Sequence, residues 1–137
     1  MAIWFDTLEP SGITVARLEG AITPAMVAKA LAAYFEDRRA TRPRMILADV
    51  SDVDDFEPSY NDMVEVVELT SAAFAAERHP VRLALAATGD LQHGRASLFL
   101  ALAADEPRLD VSLHRSVAEA ARALGLPRGT ALPPPPG

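Results

Sequence analysis

Met45-Ile46-Leu47-Ala48-Asp49-Val50 and Val81-Arg82-Leu83-Ala84-Leu85-Ala86-Ala87 are the two stretches that decide the fold. Each is a short, nearly unbroken apolar run, too brief for an ordinary helix and bounded by proline or acidic turn residues. Such runs fit strands buried on both faces, which requires helices above and below a parallel sheet. Between them, Ser59 to Glu77 places Met63, Val66, Val67, Thr70 and Phe74 on one side, as an amphipathic helix does.

The flanks extend the same alternation. Ile3 to Leu8 and Ile13 to Glu19 read as strands joined by the turn Glu9-Pro10-Ser11-Gly12, a hairpin signal. Thr23-Pro24 supplies an N-cap and a first-turn proline for a helix that ends in Asp37-Arg38-Arg39. A further helix is expected from about Leu91 to Ala104, with Leu91, Leu98 and Leu102 aligned on its apolar side. Leu109, Val111 and Leu113 alternate with Asp110, Ser112 and His114, the period of a half-exposed strand. The last helix opens with the capping box Ser116-Val117-Ala118-Glu119 and closes at Gly125. The resulting order β-β-α-β-α-β-α-β-α predicts an α/β domain: a mixed, mostly parallel sheet of about five strands covered by about four helices.

With 137 residues the chain has room for one domain. Apolar periodicity ends at Leu126, so residues 1–126 are expected to fold and residues 127–137, rich in proline, to form a disordered, dispensable tail. Thirteen basic side chains against nineteen acidic ones leave a formal charge of −6, which argues against nucleic acid or an anionic membrane surface as partner. The lack of cysteine excludes thiol catalysis, zinc–thiolate sites and disulfides. Neither a signal-peptide pattern nor a membrane-spanning run is visible, and a cytoplasmic domain is expected.

Three features carry possible chemistry. Asp49, Asp52, Asp54, Asp55, Glu57 and Asp62 are the densest charge cluster, but the glycine and glutamate of a calcium loop are missing. A solvated strand-to-helix loop explains these acids, and no metal is expected. Gly89-Asp90-Leu91-Gln92-His93-Gly94-Arg95-Ala96 has the spacing of a phosphate-binding loop, with Arg95 in place of the lysine and Ala96 in place of the hydroxyl, so a turn and helix start is the better reading. His79, His93 and His114 share no catalytic spacing with a serine or a second acid. No enzyme and no cofactor are expected. Trp4 and Phe5 must point to opposite sides of the first strand, and the outward one is expected either to make a contact between two copies or to pack under a helix or the tail.

Element order and three stretches together resemble a STAS domain of the SpoIIAA-like (STAS/SEC14) branch. The stretches are Ile46 to Val53, Val81 to Ala87 with Gly89-Asp90-Leu91 and Gly94, and Val111 to Leu124. The resemblance implies a bacterial, non-enzymatic signalling module that works by binding a protein partner. Its SEC14 side implies the alternative of a lipid or other apolar small molecule held between sheet and helix. It places the binding surface at Ser59, Tyr60, Asp55, His93 and Arg95, and sets Ser59 on the phosphorylated position of anti-sigma-factor antagonists. Pro58 and Tyr60 replace the serine and glycine that flank that position, and the neighbouring acids repel a phosphate. Ser59 is therefore expected to act as a helix N-cap, accepting the amide of Asn61 or Asp62.

Overall fold

A computed structural model of the chain describes residues 3–8, 12–37, 45–54, 59–75, 77, 79–130 and 132. Five strands and four helices alternate along it: β1 (Ile3–Leu8), β2 (Ile13–Gly20), α1 (Pro24–Asp37), β3 (Met45–Val53), α2 (Tyr60–Ala73), β4 (Val81–Ala86), α3 (Asp90–Ala103), β5 (Leu109–His114) and α4 (Val117–Ala123). The strands lie side by side in sequence order. Only β1 and β2 pair antiparallel, as a hairpin requires; β2 through β5 run parallel. The expected α/β fold is present.

Crossovers of one hand between neighbouring parallel strands deliver their helices to one side of the sheet. Accordingly α1, α2 and α3 pack in a row on one face. There Ala16, Ile46, Ala48, Leu83 and Leu85 meet Val67 and Phe74 of α2 and its boundary and Ala96, Phe99 and Ala103 of α3. Among the described residues the opposite face is served by α4 and the segment after it, with Ala120 and Ala121 on Leu47, Ala84 and Ala86. Small residues on both sides let this short helix lie close to the strands.

Two boundaries and one buried face differ from the sequence reading. β3 runs on to Val53 rather than stopping at Val50, because Glu19 and Gly20 pair with Asp52 and Val53 beyond a register shift that gives β3 one extra residue opposite Arg17–Glu19. α2 ends at Ala73, and Phe74, 1% exposed, closes it instead of lying within it. In α3 the buried side chains are Ala96, Phe99 and Ala103, whereas Leu91 is exposed. The leucine alignment missed this face because alanines bring the helix to the sheet and carry little weight in an apolar pattern.

The chain end after α4 is held by local hydrogen bonds. Gly125, at φ +86°, donates its N–H to Arg122 O, and Leu126 donates to Ala121 O, a Schellman closure that turns Leu126 back into the core. The α4 capping box is displaced by one residue: Ser116 Oγ accepts the Glu119 amide, but the Glu119 carboxylate accepts from Arg115 N. Leu132 then packs against the cluster that contains Ile13, Leu47 and Leu126. Leu132→Ser should therefore cost about 1 kcal/mol, lowering the melting temperature by roughly 3 to 5 °C. An unchanged melting temperature would show that this segment contributes nothing.

Candidate functional site

Beneath the three-helix row, the strands present small side chains. Ala16 of β2 lies beside Phe5 of β1 on one side and Ala48 of β3 on the other. Ala30 of α1 and Ala96 of α3 are small as well, and they face the same space. Larger groups at one end keep the helices from closing over it. Phe5 stacks on Tyr34 at 4.6 Å, Tyr34 meets Phe35 edge-on at 5.5 Å, and Phe35 meets Phe74 at 5.3 Å. Tyr34 is fixed in turn by a 2.6 Å buried hydrogen bond between its hydroxyl and Thr14 Oγ1. A cavity of about 210 Å³, partly open to solvent, results between the sheet and α1, α2 and α3.

The interior of this cavity is apolar. Val27 and Leu31 line it from α1, Met63 and Val66 from α2, and Leu83, Leu85 and Phe99 from β4 and α3. Thr70 also lines it, but its hydroxyl donates to Val66 O at 2.8 Å, so its polar atom is already used. Polar groups gather at the other end, where the parallel strands finish and ligand crevices of open α/β sheets commonly form. Gln92 Nε2 donates to Val53 O at 3.1 Å, and Arg95 Nη1 donates to Asp54 O at 2.7 Å. These two side chains tie the start of α3 to the end of β3. Gly89 serves the same tie, because a Cβ there would overlap Gln92 Oε1.

Asp62 completes this end of the lining. Its Oδ2 accepts the Ser59 amide at 3.2 Å, and Ser59 Oγ accepts the Asp62 amide at 3.0 Å, a reciprocal capping box at the start of α2. Ser59 is thus the N-cap, with Asp62 rather than Asn61 as donor. Tyr60 follows it, 61% exposed. Arg95 reaches the cavity mouth, while His93 is half-buried in the first turn of α3, where its carbonyl accepts Ser97 Oγ at 2.9 Å. Asp55 lies outside the described residues, as do Glu57 and Pro58. The sequence reading did not single out Asp62 as a cavity residue, and it passed over Gln92. Nothing in their local pattern separates a cavity lining from an ordinary amphipathic helix.

The acidic cluster is divided by the sheet. Asp49 is 9% exposed and accepts Arg17 Nη1 at 3.3 Å and the Ser51 amide at 3.1 Å. Strand alternation directs it to the α4 face, away from Asp62. Among the described residues no group of three histidine or acidic side chains could hold a metal ion. The stretch spaced like a phosphate-binding loop is mostly helix: α3 begins at Asp90, with Gly94 and Arg95 in its second turn. His114 Nε2 lies 2.8 Å from Ser112 Oγ on β5, and His79 is exposed, so the histidines do not converge on one site. Among the described residues no helix is long and apolar enough to cross a membrane.

No protein-family model matches the chain, and no curated protein matches it either. The resemblance to STAS domains therefore rests on the order of elements and the three stretches quoted above.

The capping geometry makes a direct prediction. Ser59→Ala should destabilise the domain by about 1 kcal/mol, and Ser59→Asp by much less, because aspartate also caps. Chemical denaturation of the three proteins measures this. Equal losses for both variants would show that the cap contributes little. A second prediction concerns Asp49: Asp49→Ala should cost about 3 kcal/mol, since it leaves a partly buried guanidinium without this carboxylate. A loss below about 1 kcal/mol would place the pair with ordinary surface ion pairs.

Proposed function

We propose that this chain is a non-enzymatic binding domain for an apolar small molecule, held between the sheet and α1, α2 and α3. The observation that carries the reading is the cavity itself, about 210 Å³ with an apolar interior and polar groups at one end. Protein interiors are close-packed, with few voids larger than a water molecule. Apolar groups lining such a space lack partner atoms on one side, and an apolar occupant restores those contacts. Polar anchors at one end and an apolar body are also the usual make-up of a small-molecule site.

Tyr60, 61% exposed, and Leu91, 42% exposed, support a second reading. They stand in the first turns of α2 and α3, at the carboxyl end of the parallel strands. In that reading the chain is a STAS-type module whose protein partner covers this end.

Native mass spectrometry of freshly purified protein tests the first reading, which expects a co-purifying apolar mass or uptake of a neutral apolar fluorophore such as N-phenylnaphthylamine. Val66→Phe fills the middle of the cavity. It should abolish uptake while changing stability by less than about 2 kcal/mol in either direction. Uptake that survives this substitution would remove the cavity from consideration. Replacing Tyr60 and Leu91 together by serine should leave uptake intact, because neither side chain lines the cavity.

A further inference from the structure

The polar atoms around the cavity serve the protein itself. Among the described residues that line it, four carry a side-chain nitrogen or oxygen: Asp62, Thr70, Gln92 and Arg95. Each is bonded to a backbone atom of this chain. Thr70 Oγ1 donates to Val66 O, Gln92 Nε2 to Val53 O and Arg95 Nη1 to Asp54 O, while Asp62 Oδ2 accepts the Ser59 amide. Carbon accordingly makes up almost all of the surface that faces the space. The lining crosses β1 to β4 and α1 to α3, so every wall shares this character.

Charge is poorly received in such a space. A carboxylate or ammonium drawn inside loses its water and meets hardly any polar surface to replace it. At the mouth Asp62 and Arg95 are of opposite sign, so neither an anion nor a cation is favoured there. The volume of about 210 Å³ exceeds the roughly 150 Å³ of an apolar cavity that holds benzene, so a ring with a few further carbons fits inside. An uncharged molecule of that size can sink in fully. A charged one must keep its head in the opening, and every methylene then left in water weakens binding about threefold to fourfold.

We propose that the site takes an uncharged, hydrocarbon-like molecule without an ionised head group, and that it discriminates against ionised amphiphiles of either sign. This rests on the apolar-ligand reading and narrows it to a ligand class. Two pairs of probes with matched skeletons, each small enough for the cavity, test it. Propylbenzene is compared with phenethylammonium, and isobutylbenzene with phenylacetate, by chemical-shift titration of the full-length protein labelled with nitrogen-15 at neutral pH. In each pair the uncharged member should bind at least about tenfold more tightly, as expected when about two methylene equivalents stay in water. Phenethylammonium and phenylacetate should be penalised alike, to within about threefold, because the mouth offers both signs.

A preference below tenfold in either pair, or a charged member that binds more tightly than its match, would overturn the ligand class while leaving an apolar cavity site in place. Penalties that differ by more than threefold would show that the mouth selects one sign, which also overturns it. Failure of all four probes to bind would defeat the apolar-ligand reading itself, as would hydrocarbon binding that survives Val66→Phe. The two pairs on the wild-type protein decide the proposal even if that variant does not fold.

Discussion

The buried hydrogen bond between Tyr34 and Thr14 sets the spacing of the α1 layer above the sheet. It holds one ring of the row Phe5, Tyr34, Phe35 and Phe74, which props the helices away from the strands at one end. Burying two hydroxyls is tolerable only because each satisfies the other. With that row in place, Ala16 and Ala48 are too small to reach Ala30 and Ala96 across the gap. The cavity is therefore a consequence of large residues at one end and small ones in the middle.

The two faces of the sheet solve the same packing problem differently. On the α4 side, Ala84 and Ala86 meet Ala120 and Ala121, and nothing large intervenes. That contact is close, and Leu124, Leu126 and Leu132 extend it. Asp49 and Arg17 occupy this face nearer the ends of the strands, where partial exposure of both side chains moderates the desolvation cost of the pair. One face is thus packed as structure, while the other keeps a volume that an apolar molecule can fill.

Polar contacts at the cavity mouth have a structural duty besides any contact with a ligand. Gln92 and Arg95 hold the last residues of β3, and Asp62 caps α2. The rim is consequently built from side chains whose positions are fixed by backbone partners. Such fixing lowers the entropy lost when a ligand binds. It also couples the start of α3 to the strand end through Gly89, where only a missing Cβ leaves room for the Gln92 carboxamide.

Local chemistry made much of the fold legible in the sequence. The apolar runs at Met45 and Val81 mark central strands, and the caps at Ser59 and Gly125 act through hydrogen bonds to residues a few positions away. The resemblance singles out Arg95, but its place at a cavity mouth was not legible in the sequence. Asp62 and Gln92 look like ordinary helix-start residues until the end of β3 and the lining of the cavity are seen beside them. The burial of Ala96, Phe99 and Ala103 in place of the leucines of α3 depends on how closely that helix approaches the sheet. By itself the sequence determined which segments are strands and helices, and in what order, because propensity, periodicity and capping are short-range. Only the tertiary structure decided that a cavity exists, because it arises from the volumes of alanines and aromatics far apart in the chain.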